Sequence, residues 1–417
     1  MASFSFGSGN AAKLLRIPLY ALGRIGSLIV PRGDRWVFGC GAGIGDGALA
    51  VHQLAHAEGH DTVWLTSNAR EEREAASLGI RTIRKSGLHG WWATARAGVV
   101  VITHGFGDVN RYADQGAFIV QLWHGIPLKR IGLDSPATTQ VPHVPGAALL
   151  SPLIGILYRL ATQRIRVLPA ASDRSRGRLE SAFGLGSDRV VVTGEPRVDV
   201  LSAGTPEERR HTASAVLKRA VGEFPTGARM ILYAPTWRDG AVDPAIPTAA
   251  QWVRIIRVLE DANAVLLVRS HPLGAGGYTP PLPSMRVRML GADACADVTP
   301  ALPAVDVLIT DYSSMAYDAG LVPMPVLYLA PDAEKYARTR GFYGRYEDVA
   351  GDDAATSWDA LVGQLARLFD DEQEFAERLA RSAALSAQVH AFRDGGNTRR
   401  VYDVIRAQGI PAPKGAA

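Results

Sequence analysis

The chain has 417 residues, of which 47% are hydrophobic and 21% are charged, and its formal net charge is +4. This length favours two or three domains of about 150 residues each, with enough apolar residues to build cores. The modest charge and the scattered arginines do not indicate nucleic-acid binding. Two cysteines, Cys40 and Cys295, give neither a disulfide framework nor a metal cluster, which fits a reducing cytosol.

The N-terminus lacks the charged start and the apolar core of a signal peptide. Residues 11–32 are apolar with interspersed charges, and these charges and Pro18 interrupt the segment too often for a spanning helix. The basic residues are Lys13, Arg16, Arg24 and Arg32. Two interpretations stay open: an interfacial helix on an anionic membrane, or a helix packed on its own domain. A second apolar segment, residues 147–166, is predicted to be a buried helix or a further membrane contact.

From residue 35 onward, short apolar runs alternate with helical patterns. The first set of predicted strands is 35–38, 62–66, 81–83, 98–103, 117–122, 166–170 and 190–193. A polar helix, 206–221, precedes a second set at 230–233, 264–268, 286–289, 305–309 and 325–329. Further helices are predicted at 47–58, 70–78, 173–183, 249–260, 314–321, 360–368, 372–385 and 399–407. This order predicts an α/β fold with two Rossmann-like parallel sheets around a cleft.

The glycine-rich loop after the first predicted strand resembles a dinucleotide fingerprint, which fits at Gly43, Gly45 and Ala48. A loop so rich in Gly and Ala matches this pattern by chance. The next strand also lacks the acidic residue that would hold a ribose, so the sequence does not favour a dinucleotide site. We expect instead a tight turn, including Gly43, on the acceptor side of the cleft.

The segment QLWHGIPLK, residues 121–129, is the most informative part of the chain. It places His124 just past the end of a predicted parallel strand, at the edge where open α/β sheets bind ligands. Trp123 and Gly125 flank the histidine, and the glycine lets a substrate approach the backbone. Lys129 adds positive charge nearby. A lone histidine is more often structural, but this location favours proton transfer from an attacking hydroxyl.

Arg269 and His271 also follow a predicted strand, 264–268. Their positive charge could neutralise charge that grows on a leaving phosphate. The alternative for His271 is an ordinary loop histidine with satisfied hydrogen bonds.

Two more strand ends carry polar residues. Asp311, Ser313 and Ser314 follow the run VDVLIT, and a serine there would cap a helix whether or not a pyrophosphate binds at the same helix start. Thr236 and Arg238 follow the first strand of the second set and could meet a phosphate or a ribose, or could simply form a strand-to-loop exit.

Taken together, these segments resemble the CDP-glycerol glycerophosphotransferases of teichoic acid and capsule synthesis. QLWHGIPLKRIG is similar to that family's tryptophan-histidine-glycine segment, and GEPRVDVL, YAPTWR, RSHP, TDYSSMAYDAG, RGFYGRYED and FRDGGNTRRV follow in the family's order. The resemblance runs from about residue 30 to residue 401. It implies a two-domain fold like that of the B-type glycosyltransferases.

The apolar and basic pattern predicts a membrane-contact segment at 1–32. The resemblance implies an acceptor domain at 33–208 and a nucleotide-donor domain at 209–417. The expected reaction transfers an alditol phosphate from a CDP-alditol to a hydroxyl of a lipid-linked acceptor or growing polymer, and releases CMP. Glycerol phosphate is the favoured alditol phosphate. The enzyme would work at the cytoplasmic face of the membrane as a peripheral protein. Self-association into a homo-oligomer is left open, as is the choice between glycerol and ribitol.

Within that reaction the resemblance assigns a role to each segment. His124 would be the base, and His271 with Arg269 would stabilise charge as CMP leaves. Ser313 and Ser314 would hold the pyrophosphate, and Asp311 would orient their loop. Because no Asp/Glu cluster resembles a metal site, we expect neither a cofactor nor an obligatory protein-bound metal.

Two alternatives come from other classes. A glycosyltransferase of the same fold would form a glycosidic bond and release a nucleoside diphosphate. A catalytically silent membrane module would bind nucleotide or polymer and release no CMP.

Overall fold

The computed structural model describes residues 17–139, 151–236, 238, 243–270 and 278–410. Its strands are β1 Trp36–Phe38, β2 Thr62–Thr66, β3 Thr82–Arg84, β4 Val99–Ile102, β5 Phe118–Gln121, β6 Ile165–Ala170, β7 Val190–Val192, β8 Arg229–Ala234, β9 Ala264–Val268, β10 Val287–Met289, β11 Val307–Thr310 and β12 Val326–Tyr328. Every predicted strand is present to within two or three residues.

The helices alternate with these strands. They are α1 Ile17–Ile29, α2 Asp46–Ala57, α3 Ala69–Ser77, α4 Leu88–Ala95, α5 Pro136–Thr139, α6 Ser151–Thr162, α7 Asp173–Phe183, α8 Pro206–Val221, α9 Ala249–Asp261, α10 Met315–Asp318, α11 Ala333–Thr339, α12 Glu347–Ala350, α13 Trp358–Asp370, α14 Glu372–Ala387 and α15 Asn397–Ala407. Short 3-10 turns lie at Phe106–Asp108, Gly132–Asp134, Pro196–Leu201, Thr299–Ala304 and Ala319–Leu321.

The contacts divide the chain into two units. The described residues as far as Asp199, with those from Asp394 onward, form the first, and Val200–Arg393 form the second. The predicted boundary at 208/209 therefore falls slightly late. The prediction also put the last helix in the second domain, and this is wrong. Asn397 and Thr398 donate their backbone N–H groups to the Asp199 carboxylate (3.0 and 2.7 Å), so α15 begins in the first unit.

The first unit contains a seven-stranded sheet with the order β3-β2-β1-β4-β5-β6-β7. All of its pairings are parallel, as the strand-helix alternation predicts. β1 and β4 are fully buried on both faces, which explains their continuous apolar sequences. The strand order reverses between these two central strands, and that switch point is where ligands bind in open α/β sheets.

The second unit contains a five-stranded parallel sheet with the order β10-β9-β8-β11-β12. Its switch point lies between β8 and β11, which pair from Val307↔Ile231 to Thr310↔Ala234. Trp252 of α9 and Trp358 of α13 are buried in the core beside this sheet. The prediction of two Rossmann-like parallel sheets is confirmed.

Helix α1 packs on the first unit through its glycines. A Cβ at Gly23 would lie 2.5 Å from the Tyr112 carbonyl oxygen, and one at Gly26 would lie 3.1 Å from the Trp91 ring. The opposite face is apolar and exposed, with Leu19, Leu22, Ile25, Leu28 and Ile29 each more than half accessible. One face of the helix therefore packs on its own domain, as one of the two predicted alternatives has it, and the interfacial alternative stays a prediction.

The segment predicted at 147–166 forms α6, with residues 147–150 outside the described part of the chain. Ile154 is buried, but Leu153, Ile156, Leu157 and Leu160 are exposed along one face. The prediction of a buried helix is therefore wrong, because only one stripe of α6 meets the core.

Candidate functional site

The loops after β1, β4 and β5 lie side by side at the switch point of the first sheet, and we call their polar surface the first rim. Gly39 makes the loops fit closely, because a Cβ there would lie 2.3 Å from the Asp108 carbonyl oxygen. Gly43, predicted on the acceptor side, lies in the β1 loop with φ of 111°, a conformation that glycine adopts without strain.

His124 lies at this rim because of a strained turn after β5. Trp123 has φ of 62°, in the left-handed region, and Gly125 has φ of 136°. The Trp123 N–H donates to Gln121 Oε1 (3.1 Å), and the indole packs edge-on against Phe183 with ring centroids 5.2 Å apart. The tryptophan is thus a core residue that anchors the turn, and His124 next to it stays partly exposed.

The surroundings of His124 suit a neutral base. Its Nδ1 lies 3.4 Å from the Thr103 carbonyl oxygen, and a carbonyl can only accept, so Nδ1 carries the proton and Nε2 keeps its lone pair. The His104 ring stacks on it at 4.2 Å with an interplanar angle of 2°. Burial, then His104, then the cations Arg197 and Lys129 hold the pKa of His124 well below its ordinary value, while the Thr103 carbonyl opposes them.

The β1 and β4 loops bring together residues that sequence reasoning missed. Thr103 Oγ1 donates to Cys40 Sγ (3.1 Å) and lies 2.8 Å from His104 Nδ1. Asp108 accepts the backbone N–H groups of Thr103, His104 and Gly105 at 2.7 to 3.1 Å. Burial raises the pKa values of the Cys40 thiol and the Asp108 carboxyl. The only sequence signal was the strand-end position of these residues.

The loops after β8 and β11 form the second rim, which belongs to the second unit. The Asp311 carboxylate accepts the backbone N–H of Thr236 at 2.9 and 3.0 Å. The Tyr346 hydroxyl donates to the Asp311 carbonyl (3.0 Å), and its ring packs edge-on against Tyr312 at 5.1 Å. Asp311 thus joins both loops, and Tyr346, which contacts it, belongs to the segment RGFYGRYED. The role of Asp311 in orienting a ligand-binding loop stays a prediction.

Arg238 is placed differently from its predicted contact with phosphate or ribose. Its Nε and Nη2 donate to both oxygens of Asp332 (3.0 Å each), and Nη1 donates to Asp311 (2.9 Å). The guanidinium also lies over the rings of Tyr312 and Tyr336 at 5.0 and 5.2 Å. Burial would lower its pKa, but the two carboxylates outweigh this and raise it. Arg238 therefore stabilises the second rim by linking Asp311 to Asp332.

Ser313 and Ser314 lie at the second rim, partly exposed. Ser313 Oγ accepts the Met315 N–H (3.2 Å), and Ser314 precedes α10 without capping it through its side chain. The predicted helix 314–321 is a single α-turn, Met315–Asp318, followed by a 3-10 turn. The dipole of so short a helix is small, so an anion would be bound mainly by the serine hydroxyls and the backbone N–H groups of this loop.

Arg269 is partly buried, and its guanidinium binds carbonyl groups of the loop that follows β10. Nη1 donates to Cys295 O (2.7 Å) and Nη2 donates to Ala296 O (2.9 Å). Burial lowers the pKa of this arginine. The predicted partner, His271, lies outside the described residues. Lys129, predicted on the acceptor side, is partly exposed at the first rim.

Two Rossmann-like sheets with polar rims at their switch points are the architecture expected of a two-domain nucleotide-dependent transferase. Residues 41–407 match the family described as CDP-glycerol:poly(glycerophosphate) glycerophosphotransferase. The chain belongs to this family. The predicted family is confirmed, and the match favours a glycerophosphotransferase over the glycosyltransferase and over the silent module.

Individual relatives agree. A teichoic acid glycerol-phosphate transferase of Staphylococcus aureus is 27% identical over 293 residues, 69% of this chain and 70% of the relative. A teichoic acid poly(glycerol phosphate) polymerase of Staphylococcus epidermidis is 28% identical over 269 residues, 62% of this chain but 35% of the relative. The chain thus spans only about a third of that polymerase's length.

Solved structures share the fold. A variant of the wall teichoic acid polymerase TagF superposes with a TM-score of 0.75 at 22% identity, covering 96% of this chain and 97% of that one. A UDP complex of the Staphylococcus aureus protein MnaA reaches a TM-score of 0.53 at 13% identity, covering 90% of this chain and 96% of that one. At such identities the likeness concerns the fold alone.

Among the described residues, no helix is both long and apolar enough to cross a membrane.

Proposed function

We propose that the chain transfers an alditol phosphate, with glycerol phosphate the first candidate, from a CDP-alditol to a hydroxyl of a lipid-linked acceptor or growing polymer. The observation that carries this proposal is the geometry of His124. Its Nδ1 faces the Thr103 carbonyl at 3.4 Å, so Nε2 is the basic nitrogen, and the side chain is partly exposed at the end of β5. Family membership supplies the class of donor.

In the proposed reaction the acceptor oxygen attacks the β-phosphorus of the CDP-alditol. His124 Nε2 takes the hydroxyl proton while the new P–O bond forms. The bond between that phosphorus and the bridging oxygen breaks, and its electron pair leaves with CMP. Positioning and electrostatics supply most of the acceleration in phosphoryl transfer. A neutral histidine suits this step because its pKa is held below the ordinary value.

We assign the nucleotide to the second unit. The rim there offers the partly exposed hydroxyls of Ser313 and Ser314 and the Thr236 loop, which Asp311 holds in place (2.9 Å). Arg238 and Arg269 support these loops from within, through carboxylates and carbonyl groups respectively. We therefore revise their predicted role from binding the phosphates to shaping the loops that do so.

The test is incubation of the full chain with CDP-glycerol or CDP-ribitol and a lipid-linked or short polymer acceptor. We expect CMP release and a new phosphodiester in the acceptor, and the better of the two donors identifies the alditol. A glycosidic product with release of a nucleoside diphosphate would overturn the proposal in favour of a glycosyltransferase. Tight CDP-alditol binding without CMP release would favour the silent module.

We also propose that the chain attaches to an anionic membrane through the exposed faces of α1 and α6. Both helices end near one loop: Arg32 donates to Ala113 O (3.2 Å), and Arg164 pairs with Asp114 (2.7 Å). Arg32 also donates to Thr94 O (2.7 Å), so its guanidinium binds backbone carbonyl groups of the domain and not lipid headgroups. Insertion of apolar side chains then contributes most of the free energy of attachment, and the exposed Arg24 adds attraction to anionic lipid.

Sedimentation with phosphatidylglycerol vesicles tests this attachment. Leu22→Ser with Ile25→Ser should lower binding at least tenfold, because each side chain contributes about 1.5–3 kcal/mol when buried. The matched control is Val253→Ser, at a residue on α9 that is 61% exposed. High salt should weaken binding only in part. Unchanged sedimentation of the double variant would show that α1 is not the anchor and would direct the same test to Ile156 and Leu160.

A further inference from the structure

Three potential metal ligands converge at the first rim. The thiol of Cys40, the carboxylate of Asp46 and a ring nitrogen of His104 all lie within 4.8 Å of one another. Cys40 Sγ and His104 Nδ1 are 4.0 Å apart. Cys40 lies in the loop after β1, Asp46 is the first residue of the helix α2 that follows this loop, and His104 lies in the loop after β4. The cluster therefore spans the switch point of the sheet.

We propose that Cys40, Asp46 and His104 bind one divalent transition-metal ion, for which Zn²⁺ is the best match. Thiolate, imidazole and carboxylate together suit Zn²⁺, whereas Mg²⁺ and Ca²⁺ prefer oxygen ligands alone. Three protein ligands leave a fourth tetrahedral position for water or a hydroxyl, the arrangement found in catalytic rather than structural zinc sites. Closing distances of 4.0 to 4.8 Å to tetrahedral spacing requires only small side-chain movements.

The surroundings already hold the ligands in place. Cys40 Sγ accepts the Thr103 hydroxyl (3.1 Å) and the Ala42 N–H (3.4 Å), which are the donors a metal-bound thiolate needs. One oxygen of Asp46 accepts the Gly47 N–H (2.6 Å), which fixes the orientation of this carboxylate. His104 follows Thr103 in a loop that Asp108 fixes through three backbone N–H groups.

Backbone strain at Asp46 is an independent observation. This residue has φ of 59°, in the left-handed region that non-glycine residues seldom adopt. Asp tolerates this conformation better than most residues do, yet glycine would be the ordinary choice in a loop that contains several glycines. Strain of this kind persists where a side chain must be aimed at a site.

The ion would lie beside His124, because the His104 ring stacks on the His124 ring at 4.2 Å. A cation there favours the neutral form of His124, and the open position could polarise the acceptor hydroxyl. This role rests on the proposed function, but the binding of the metal does not. Metal binding is therefore measured without the reaction.

The test uses Co²⁺ as a spectroscopic probe for the zinc site. The full chain is stripped with a chelator, dialysed and titrated with Co²⁺. We expect one equivalent to bind with a thiolate-to-cobalt charge-transfer band and the intense visible absorption of tetrahedral cobalt, and Zn²⁺ to displace it. Absence of stoichiometric binding, or binding without the thiolate band, overturns the proposal.

Variants identify the ligands. Cys40→Ser should abolish the charge-transfer band and weaken Zn²⁺ binding at least 100-fold, since loss of outer-sphere partners alone costs 10–100-fold. Cys295→Ser is the matched control, because Cys295 is also a buried cysteine outside any disulfide, and its thiol donates to Asp297 O (3.1 Å). A band that survives Cys40→Ser, or that disappears in Cys295→Ser, refutes the assignment.

Two further measurements keep the test decisive. If Cys40→Ser fails to fold by circular dichroism, Asp46→Asn and His104→Gln should each weaken Zn²⁺ binding while keeping the thiolate band. His124→Ala should bind Co²⁺ like the unmodified chain even when CMP release is lost. Failure of the metal site and failure of the proposed reaction are thus told apart.

Discussion

The two sheets have the same kind of switch point, but their rims use polar residues in different ways. At the first rim, His124, His104 and Cys40 lie close together with weak or shared hydrogen bonds of 2.8 to 4.0 Å. At the second rim, Arg238 and Asp311 satisfy one another in the interior. The first arrangement leaves groups able to exchange protons or bind an ion, whereas the second makes a rigid frame.

Backbone strain follows the same division. Among the described residues, the non-glycine residues with left-handed φ are Asp46, Trp123 and Asn263. The first two belong to the first rim, and Asn263 lies in the turn between α9 and β9, away from either rim. Strain tends to collect where side chains act on a ligand, so the difference supports chemistry at the first rim and scaffolding at the second.

The frame of the second rim predicts the largest effect. Arg238→Met leaves Asp311 and Asp332 without their buried cation, and breaking such a pair costs about 3–5 kcal/mol of unfolding free energy. Urea denaturation measures this loss. The control is Arg254→Met, which removes an ion pair to Asp359 whose partners are both about half exposed and should change stability by less than about 1 kcal/mol. Equal losses in the two variants would contradict a framing role for Arg238.

A buried histidine in the first unit gives the next effect, in stability against pH. His52 is 4% exposed, and among the described residues neither ring nitrogen has a hydrogen-bond partner. Burial, then the neighbouring His56, lowers its pKa from 6.5 to about 4. The unfolded chain therefore binds more protons between these values, so stability falls as the pH drops from 6.5 to about 4.

The full difference for His52 corresponds to about 3 kcal/mol. His52→Leu should flatten the stability curve by that amount over this window, as measured by urea denaturation at several pH values. His211→Gln, at an exposed histidine of α8, should leave the slope unchanged. Parallel curves for His52→Leu and the unmodified chain would show that this histidine is not buried in the neutral form.

His124 itself carries the third prediction. His124→Ala should lower the rate of CMP release about 100-fold or more, the scale of a lost general base, with the fold intact. His56→Ala, at an exposed histidine of α2 in the same unit, is the matched control and should have near-normal activity. Near-normal turnover in a well-folded His124→Ala variant would remove the first rim from the proton transfer.

Much of the fold follows from sequence pattern alone, because buried parallel strands need continuous apolar runs and helices separate them. The same logic placed His124 at a strand end. It could not find the Cys40–His104 approach, which joins residues 64 positions apart, nor the Asp332 partner of Arg238, 94 positions away. Such pairings depend on how closely two loops from distant parts of the chain approach each other, and sequence pattern does not determine that distance. The return of α15 to the first unit depends likewise on Asp199, whose sequence neighbours give no sign of a helix cap 198 residues later.

The smallest effect concerns the anion-binding groups of the second rim. Ser313→Ala with Ser314→Ala should weaken CDP-alditol binding, because a hydrogen bond to a charged group contributes about 1.5–3 kcal/mol. The one-turn helix α10 adds little dipole and both serines are partly exposed, so we expect the two hydroxyls together to contribute about 1.5 kcal/mol, which is about a tenfold rise in Kd by calorimetry. Stability should hardly change, since Ser314 does not cap α10 and Ser313 accepts a single N–H (3.2 Å). Ser214→Ala, on exposed α8, is the control because its hydroxyl only donates to Arg210 O (2.7 Å).

An unchanged Kd in the double variant would refute the pyrophosphate assignment and leave the second rim as a frame whose backbone alone meets the nucleotide. A large loss of stability would instead show that these serines belong to the frame.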